Sequence, residues 1–283
     1  LAADSGISAS DKITNFSTVN VTGLESAATW EYSIDSGSNW TFGSGSSFTL
    51  SGDGSKSVLI RQTDVAGNTS SVSTYSFTLD TQSPVGPKVA LLSDSGTDGG
   101  DKVTNVGTVT VDGVESGATW EYSTNNGSTW TIGTASSFSV TGDGVKTVLV
   151  RQTDVAGNTS GASTYTFTLD TTAASPTVGL GSDTGTSSSD KTTNIGTVTV
   201  TGLESGATWQ YSPDGGSTWS TGTGTSFTVS GDGAKSVLVK QTDAAGNTSA
   251  NSAPLAFTLD TGAPTTTVST VTLSGDSGTS STD

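Results

Sequence analysis

The chain has 283 residues, 26 of them acidic and 10 basic, with six Trp, no Cys, no Met, no His and a formal net charge of −16. That composition leaves no basic face to neutralise phosphates, no thiol or imidazole for nucleophilic catalysis, and no zinc site of the usual ligands. No apolar run approaches the ~20 residues of a membrane span and no signal peptide is visible, while the missing Met marks the chain as a piece of a longer polypeptide or a processed product.

Charged residues make up 13% of the chain, below the ~25% common in globular domains, and the aromatic and branched residues recur at regular spacing. Trp-Glu-Tyr-Ser at Trp30 returns at Trp120, and as Trp-Gln-Tyr-Ser at Trp209, in steps of 90 and 89. Gln-Thr-Asp-Val-Ala-Gly-Asn-Thr-Ser begins at Gln62 and Gln152 and recurs with one change at Gln241. Phe-Thr-Leu-Asp-Thr closes each copy at Asp80, Asp170 and Asp260. Such a period exceeds a solenoid turn and suits an autonomous domain. Four segments follow: repeat 1 over residues 1–80, lacking its first strand; repeat 2 over 81–170; repeat 3 over 171–260; and the first strand and acidic loop of a fourth repeat over 261–283.

Within each repeat the pattern is all-β. In chain order for the second copy, strand A is expected near Val89 to Leu92, followed by a polar loop from Asp94 to Asn105. Strand B is expected near Thr108 to Val111, C near Ala118 to Ser123, and an edge strand near Trp130. Strand E falls near Phe138, F from Lys146 to Thr153, and G from Thr164 to Leu169. These runs alternate apolar and polar residues with period two, and Gly-Asp-Gly and Ala-Gly-Asn turn signals separate them. About seven short strands in some ninety residues is the immunoglobulin-like sandwich pattern, here without its disulfide. The fold class is therefore all-β: tandem immunoglobulin-like β-sandwiches in an elongated head-to-tail array.

Twenty of the 26 acids fall at six recurring positions: Asp4/94/183/276, Asp11/101/190/283, Glu25/115/204, Asp53/143/232, Asp64/154/243 and Asp80/170/260. The others, such as Asp35, Asp98 and Asp112, are read as solvated surface confined to one copy. Alternating strand direction puts Asp80 at the C-terminal pole of repeat 1, facing Glu115 and Asp154 at the N-terminal pole of repeat 2. Asp170, Glu204 and Asp243 repeat the arrangement. Carboxylates gathered at a junction repel unless a cation joins them, and Ca²⁺ takes six to eight oxygens without needing Cys or His. Glu25 and Asp64 at one end, and Asp260 at the other, are the unpaired members of the same sets. A second cluster is local: Asp94 and Asp101, with Asp4 and Asp11, Asp183 and Asp190, and Asp276 and Asp283 as counterparts. It reads either as a loop folded round an ion, with Asp143 near, or as an Asx- and Gly-rich loop with no ion. Asp53 in Gly-Asp-Gly reads as a turn residue.

Trp30, Trp120 and Trp209 sit mid-strand and are expected in the core, as on strand C of immunoglobulin folds. Trp40, Trp130 and Trp219 follow Gly-Ser turns and are expected to pack over a sheet edge, with sugar stacking as the alternative. Arg61, Arg151 and Lys240 fall on the outward phase of strand F and read as solvated charges.

Three motifs bear on family: Asp-Ser-Gly-X5-Lys-X-Thr-Asn, Thr-Asp-Val-Ala-Gly-Asn-Thr-Ser, and Leu-Asp-Thr followed closely by Pro. Together they resemble the bacterial immunoglobulin-like repeats of giant surface adhesins and biofilm-associated proteins. The resemblance implies type I secretion, an extracellular location on the bacterial cell surface, and Ca²⁺ at domain junctions stiffening the rod. Carried over by position, the ligands it implies are Asp80, Glu115 and Asp154, and Asp170, Glu204 and Asp243. The expected function is a calcium-stiffened spacer for adhesion and biofilm formation. The partners are calcium ions and neighbouring repeats, with no nucleic acid and no membrane insertion. Two alternatives stand beside it: a carbohydrate-binding array taking glycans on Trp40, Trp130 and Trp219, and a filament in which the strand from Val268 to Leu273 completes the next molecule's first sandwich. No acid pair sits in an evident cleft, so no catalytic residue is assigned.

Overall fold

The computed structural model describes residues 1–269 and Val271. Asp276 and Asp283 lie outside the described residues. Of the expected fourth-repeat strand, Val268 and Val271 are described and are exposed. The chain divides into two compact units, the first from Leu1 to Thr171 and the second from Thr172 onward.

The first unit holds two copies of one strand plan. In the first copy the strands are β1 (Ile13–Thr14), β2 (Thr18–Asn20), β3 (Thr29–Ser33), β4 (Thr41–Phe42), β5 (Ser47–Thr49), β6 (Gly54–Thr63) and β7 (Ser73–Leu79). The second copy runs β8 (Lys88–Leu91), β9 (Val103–Thr104), β10 (Thr108–Asp112), β11 (Thr119–Ser123), β12 (Thr131–Ile132), β13 (Ser137–Ser139), β14 (Gly144–Thr153) and β15 (Ser163–Leu169). The second unit repeats the plan as β16 (Thr177–Leu180), β17 (Thr192–Thr193), β18 (Thr197–Thr201), β19 (Thr208–Ser212), β20 (Ser220–Thr221), β21 (Ser226–Thr228), β22 (Gly233–Thr242) and β23 (Leu255–Leu259).

Each copy is a two-sheet sandwich. The larger sheet has five strands, in the order β12-β11-β14-β15-β9 for the second copy; the smaller has three, β13-β10-β8. In the first copy the smaller sheet is the pair β2 and β5. The alternation on β10 explains the packing: Val109 and Val111 are buried, and they meet Phe138, Trp120, Val148, Val150, Phe167 and Leu169 from both sheets in one core. At ~1.5–3 kcal/mol per fully buried large apolar side chain, this cluster is the main favourable term of the fold. Trp30, Trp120 and Trp209 are buried, as expected. They fit because the chain beside each is glycine: a Cβ at Gly43, Gly133 or Gly222 would run into the indole.

One element went unforeseen. β9 pairs in parallel with β15, Val103 opposite Thr168 and Thr104 opposite Leu169, and β1 and β17 pair the same way with β7 and β23. This pairing ties the Asp94 loop to the end of the last strand of its own sandwich. The acidic loop and the strand terminus at Asp170 therefore occupy the same pole. Asp80 and the Asp4 loop are related in the same way. Among the described residues no helix is long and apolar enough to cross a membrane.

Candidate functional site

The acidic loop is held by its own side chains. Asp4 Oδ2 accepts the Lys12 amide at 3.0 Å, Asp94 Oδ2 that of Lys102 at 2.9 Å, and Asp183 Oδ2 that of Lys191 at 2.9 Å. These lysines sit at positive φ, from 60 to 62°, a strained conformation that the bonds hold in place. Asp11, Asp101 and Asp190 accept the amide two residues on, from Ile13, Val103 and Thr192, at 3.0, 2.8 and 2.9 Å. Beneath them Thr14, Thr104 and Thr193 are buried, and each hydroxyl donates to a loop carbonyl, those of Ala3, Ser93 and Ser182.

One oxygen is left over in each copy. Oδ1 of Asp4, Asp94 and Asp183 is buried and has no hydrogen-bond partner. A buried carboxylate oxygen without a partner is unfavourable by itself, and it recurs at the same atom three times.

The other recurring acids are committed locally. Asp154 Oδ1 accepts the amides of Gly157 and Asn158, each at 2.8 Å, and Oδ2 accepts Asn158 Nδ2 at 2.9 Å. Asp64 and Asp243 make the corresponding pairs with Asn68 and Asn247, all at 2.8 Å. The Asn68 side chain, helped by its amide, holds the Asp64 carboxyl below its ordinary range. Asp53 Oδ1 accepts from both Thr81 Oγ1 and Thr81 N, at 2.8 and 3.0 Å; Asp143 and Asp232 do the same with Thr171 and Thr261. These bonds lower the carboxyls of Asp53 and Asp232 as well. The Gly-Asp-Gly acid is thus a clamp on the chain leaving the last strand. Asp143 is occupied there, away from the Asp94 loop with which it was grouped. Asp80 and Asp260 each accept the amide two residues on, from Gln82 and Gly262, at 3.0 and 3.1 Å.

Glu25 and Glu115 are exposed, and each is anchored by its backbone: Gln62 Oε1 and Gln152 Oε1 accept the two amides at 2.9 and 2.8 Å. In the second unit Glu204 N donates to Gln241 Oε1 at 2.9 Å, and Glu204 Oε1 accepts from Ala174 N at 3.0 Å. Gln152 and Gln241 are buried, with Nε2 bonded to Val85 O at 2.6 Å and to Ala174 O at 2.7 Å respectively. Among the described residues no three acidic side chains converge into a metal-sized group.

The structure brings together residues that spacing alone kept apart. Within the first unit the Asp4 loop meets the loop of Asp154. Ser5 Oγ donates to Ala156 O at 2.6 Å, Ile7 N to Val155 O at 3.4 Å, and Asn158 Nδ2 to Asp80 O at 2.8 Å. A Cβ at Gly6 would run into the Val155 carbonyl, and one at Gly157 would lie 2.9 Å from Gly6 N. The acidic loop expected to act locally therefore belongs to the same junction as Asp80 and Asp154. Its recurring glycines, Gly6, Gly96 and Gly185, were the signal available for this contact.

Two surface expectations are corrected. Arg61 and Arg151 are not simply solvated: each guanidinium lies 4.0 Å from an indole centroid, of Trp40 and Trp130, and each Nε donates to a glutamate, Glu31 at 2.5 Å and Glu121 at 2.6 Å. Lys240 lies 4.3 Å from the Trp219 centroid. Asp35 is not a solvated acid of one copy either. Its Oδ1 accepts from Ser33 Oγ and Asn39 N, and Asp214 does the same with Ser212 and Thr218. The first of these carboxyls is held at about 2, chiefly by the Asn39 amide, and the second at about 2, chiefly by the Thr218 hydroxyl.

Residues 1–81 match the bacterial Ig-like domain family, so the first repeat is a bacterial Ig-like domain, and its signature strings recur in the second and third. Two solved structures show likeness across most of the chain. The tetra-tandem repeat in the extending region of a large adhesion protein is 20% identical, over 89% of this chain and 69% of that one, with a TM-score of 0.26. A Ca²⁺-stabilised adhesin that helps an Antarctic bacterium reach out and bind ice is 24% identical, over 88% and 69%, with a TM-score of 0.34. No curated protein matches the chain.

Proposed function

We propose that the chain is a calcium-stiffened extender of a bacterial cell-surface adhesin, built from the repeats 1–80, 81–170 and 171–260, and that it works mechanically rather than catalytically. The observation that carries this reading is the buried, unpartnered Oδ1 of Asp4, Asp94 and Asp183. A hard cation satisfies such an atom, and Ca²⁺ completes its shell with main-chain carbonyls and water, so it does not need three clustered carboxylates. In the first unit the residues that would hold it are Asp4, with Asp80 and Asp154 adjoining across the junction. Bound there, the ion supplies charge compensation at an acidic seam. Asp94 and Asp183 offer the same oxygen in the later repeats. Extracellular modules hold Ca²⁺ with Kd ~10⁻⁴–10⁻³ M, which suits a segment that rigidifies on export.

The bacterial Ig-like match of the first repeat supports a surface location. The glycan alternative draws less support, because a cation covers one face of each of Trp40, Trp130 and Trp219. Small-angle scattering in calcium and then in chelator tests the reading. The maximum dimension and its spread should differ between the two conditions, and identical curves would refute stiffening by calcium.

A further inference from the structure

The contact between the first two sandwiches is made of main chain and one hydroxyl, with no cation among its atoms. One side is a donor pole: Ser5 and Gly6, with the Asp80 carbonyl beside them. It is pre-set by its own sandwich, since Asn15 N donates to Ser5 Oγ at 2.9 Å, Ser5 Oγ lies 3.0 Å from Thr14 Oγ1, and Asp80 N donates to Thr14 O at 3.0 Å. The other side is an acceptor loop, Asp154 to Asn158, in which Ala156 is 1% exposed beneath the seated donor.

The same two surfaces occur again without that arrangement. In the third repeat Thr184 stands where Ser5 does: Asn194 N donates to Thr184 Oγ1 at 2.9 Å, Thr184 Oγ1 lies 3.1 Å from Thr193 Oγ1, and Asp260 N donates to Thr193 O at 3.0 Å. Gly185 takes the place of Gly6, with φ of 101° against 91°, and no described atom lies within 4 Å of the Cβ it lacks. In the first repeat the loop Asp64 to Asn68 has the sequence of the acceptor and its internal bonds. There Val65 is 79% exposed, Ala66 is exposed, and no described atom meets a Cβ at Gly67.

We propose that the Asp64–Asn68 loop is a docking face for a second copy of this chain, which seats its Thr184-Gly185 loop there. The bonds expected are those of the seated pair: Thr184 Oγ1 to Ala66 O, and Asn68 Nδ2 to Asp260 O. The donor and acceptor surfaces differ, so the contact is heterologous and adds copies in a row rather than closing a dimer. Both poles are acidic and each copy carries −16, so the association is weak at low ionic strength and strengthens as salt screens the repulsion. It does not rest on the calcium reading, and it is tested without calcium.

Sedimentation velocity of the 283-residue chain in chelator, from micromolar to millimolar protein at low and high salt, reads it directly. The weight-average sedimentation coefficient should rise with concentration, more steeply in high salt. Ala66→Phe and Val65→Arg, both at exposed positions whose replacement leaves the core untouched, should each return the chain to monomer at every concentration. A chain that stays monomeric throughout overturns the proposal, as does association that both substitutions leave unchanged.

Discussion

The Arg61 guanidinium lies flat over Trp40, 4.0 Å from the indole centroid, while its Nε donates to Glu31 at 2.5 Å. The ring is thereby one wall of a stacked cation site built across adjacent strands, since Glu31 lies opposite Arg61 in the β3–β6 register. Arg151, Trp130 and Glu121 repeat the arrangement. Lys240 and Trp219 keep the stack, but Gln210 replaces the acid. A double-mutant cycle on Trp130→Leu and Arg151→Gln, followed by thermal unfolding, should give a coupling of about 0.5–1 kcal/mol, the range for exposed cation–π pairs. The Trp219 and Lys240 pair should give the smaller value of the two cycles. Zero coupling in both would return these tryptophans to the role of free sugar platforms.

Asp94 and Asp143 make opposite predictions, although both recur in every repeat. Asp94 Oδ1 is buried with no partner, whereas Asp143 Oδ1 is occupied by the Thr171 amide and hydroxyl. Asp94→Asn should weaken calcium binding at least tenfold, about 1.4 kcal/mol, by isothermal titration. In chelator it should unfold no sooner than the parent, because the change removes an uncompensated buried charge. Asp143→Asn should leave the calcium isotherm unaltered. Equal weakening by both substitutions would place the cation somewhere other than the acidic loop.

Most of the fold was legible because it rests on alternation. Val109 and Val111 against Thr108 and Thr110 declare a half-buried strand, and the mid-strand Trp120 declares the core. The two-residue strand Val103–Thr104 is too short to carry a period, so its parallel pairing with β15 was hidden, and with it the shared pole of the acidic loop and Asp170. The seam between Ser5 and Ala156 joins residues 151 apart and depends on the absence of side chains at Gly6 and Gly157, which charge patterns do not register. Asp35 was misread for a chemical reason. Its counterpart Asn125 offers the same oxygen to Ser123 and to the Thr129 amide, so a tally of carboxylates misses a position conserved in hydrogen bonding rather than in charge.

That substitution also gives a pH prediction. Asp35 and Asp214 are held at about 2 in the folded chain, below the ~3.9 of an unfolded aspartate. The unfolded state therefore binds more protons between these values, and folding stability rises with pH across that window. The contribution is complete above about pH 4 and is lost as pH falls toward 2. Asp35→Asn, which copies the Asn125 turn, should flatten the acid limb of a plot of melting temperature against pH and leave neutral-pH stability nearly unchanged. An acid limb as steep as the parent's would show that the Asn39 and Ser33 bonds do not hold the carboxyl down.

Gln152 provides the sharpest contrast between copies. It is fully buried, and its amide group serves three backbone partners: Oε1 accepts Glu115 N at 2.8 Å, while Nε2 donates to Val85 O at 2.6 Å and to Gly113 O at 3.3 Å. Gln62 makes the corresponding bonds to Glu25 N and Gly23 O and remains partly exposed. Replacing a buried hub by an apolar residue strands its partners, at about 1–3 kcal/mol for each backbone group left without water. Gln152→Leu should therefore destabilise the chain by several times more than Gln62→Leu, whose released groups water can reach. Urea unfolding monitored by Trp fluorescence reads the difference, and hydrogen exchange at the Glu115 amide locates it. If the two substitutions proved equally mild, the linker carbonyl of Val85 would not be held by Gln152, and the strand entering the second sandwich would be fixed by β8 alone.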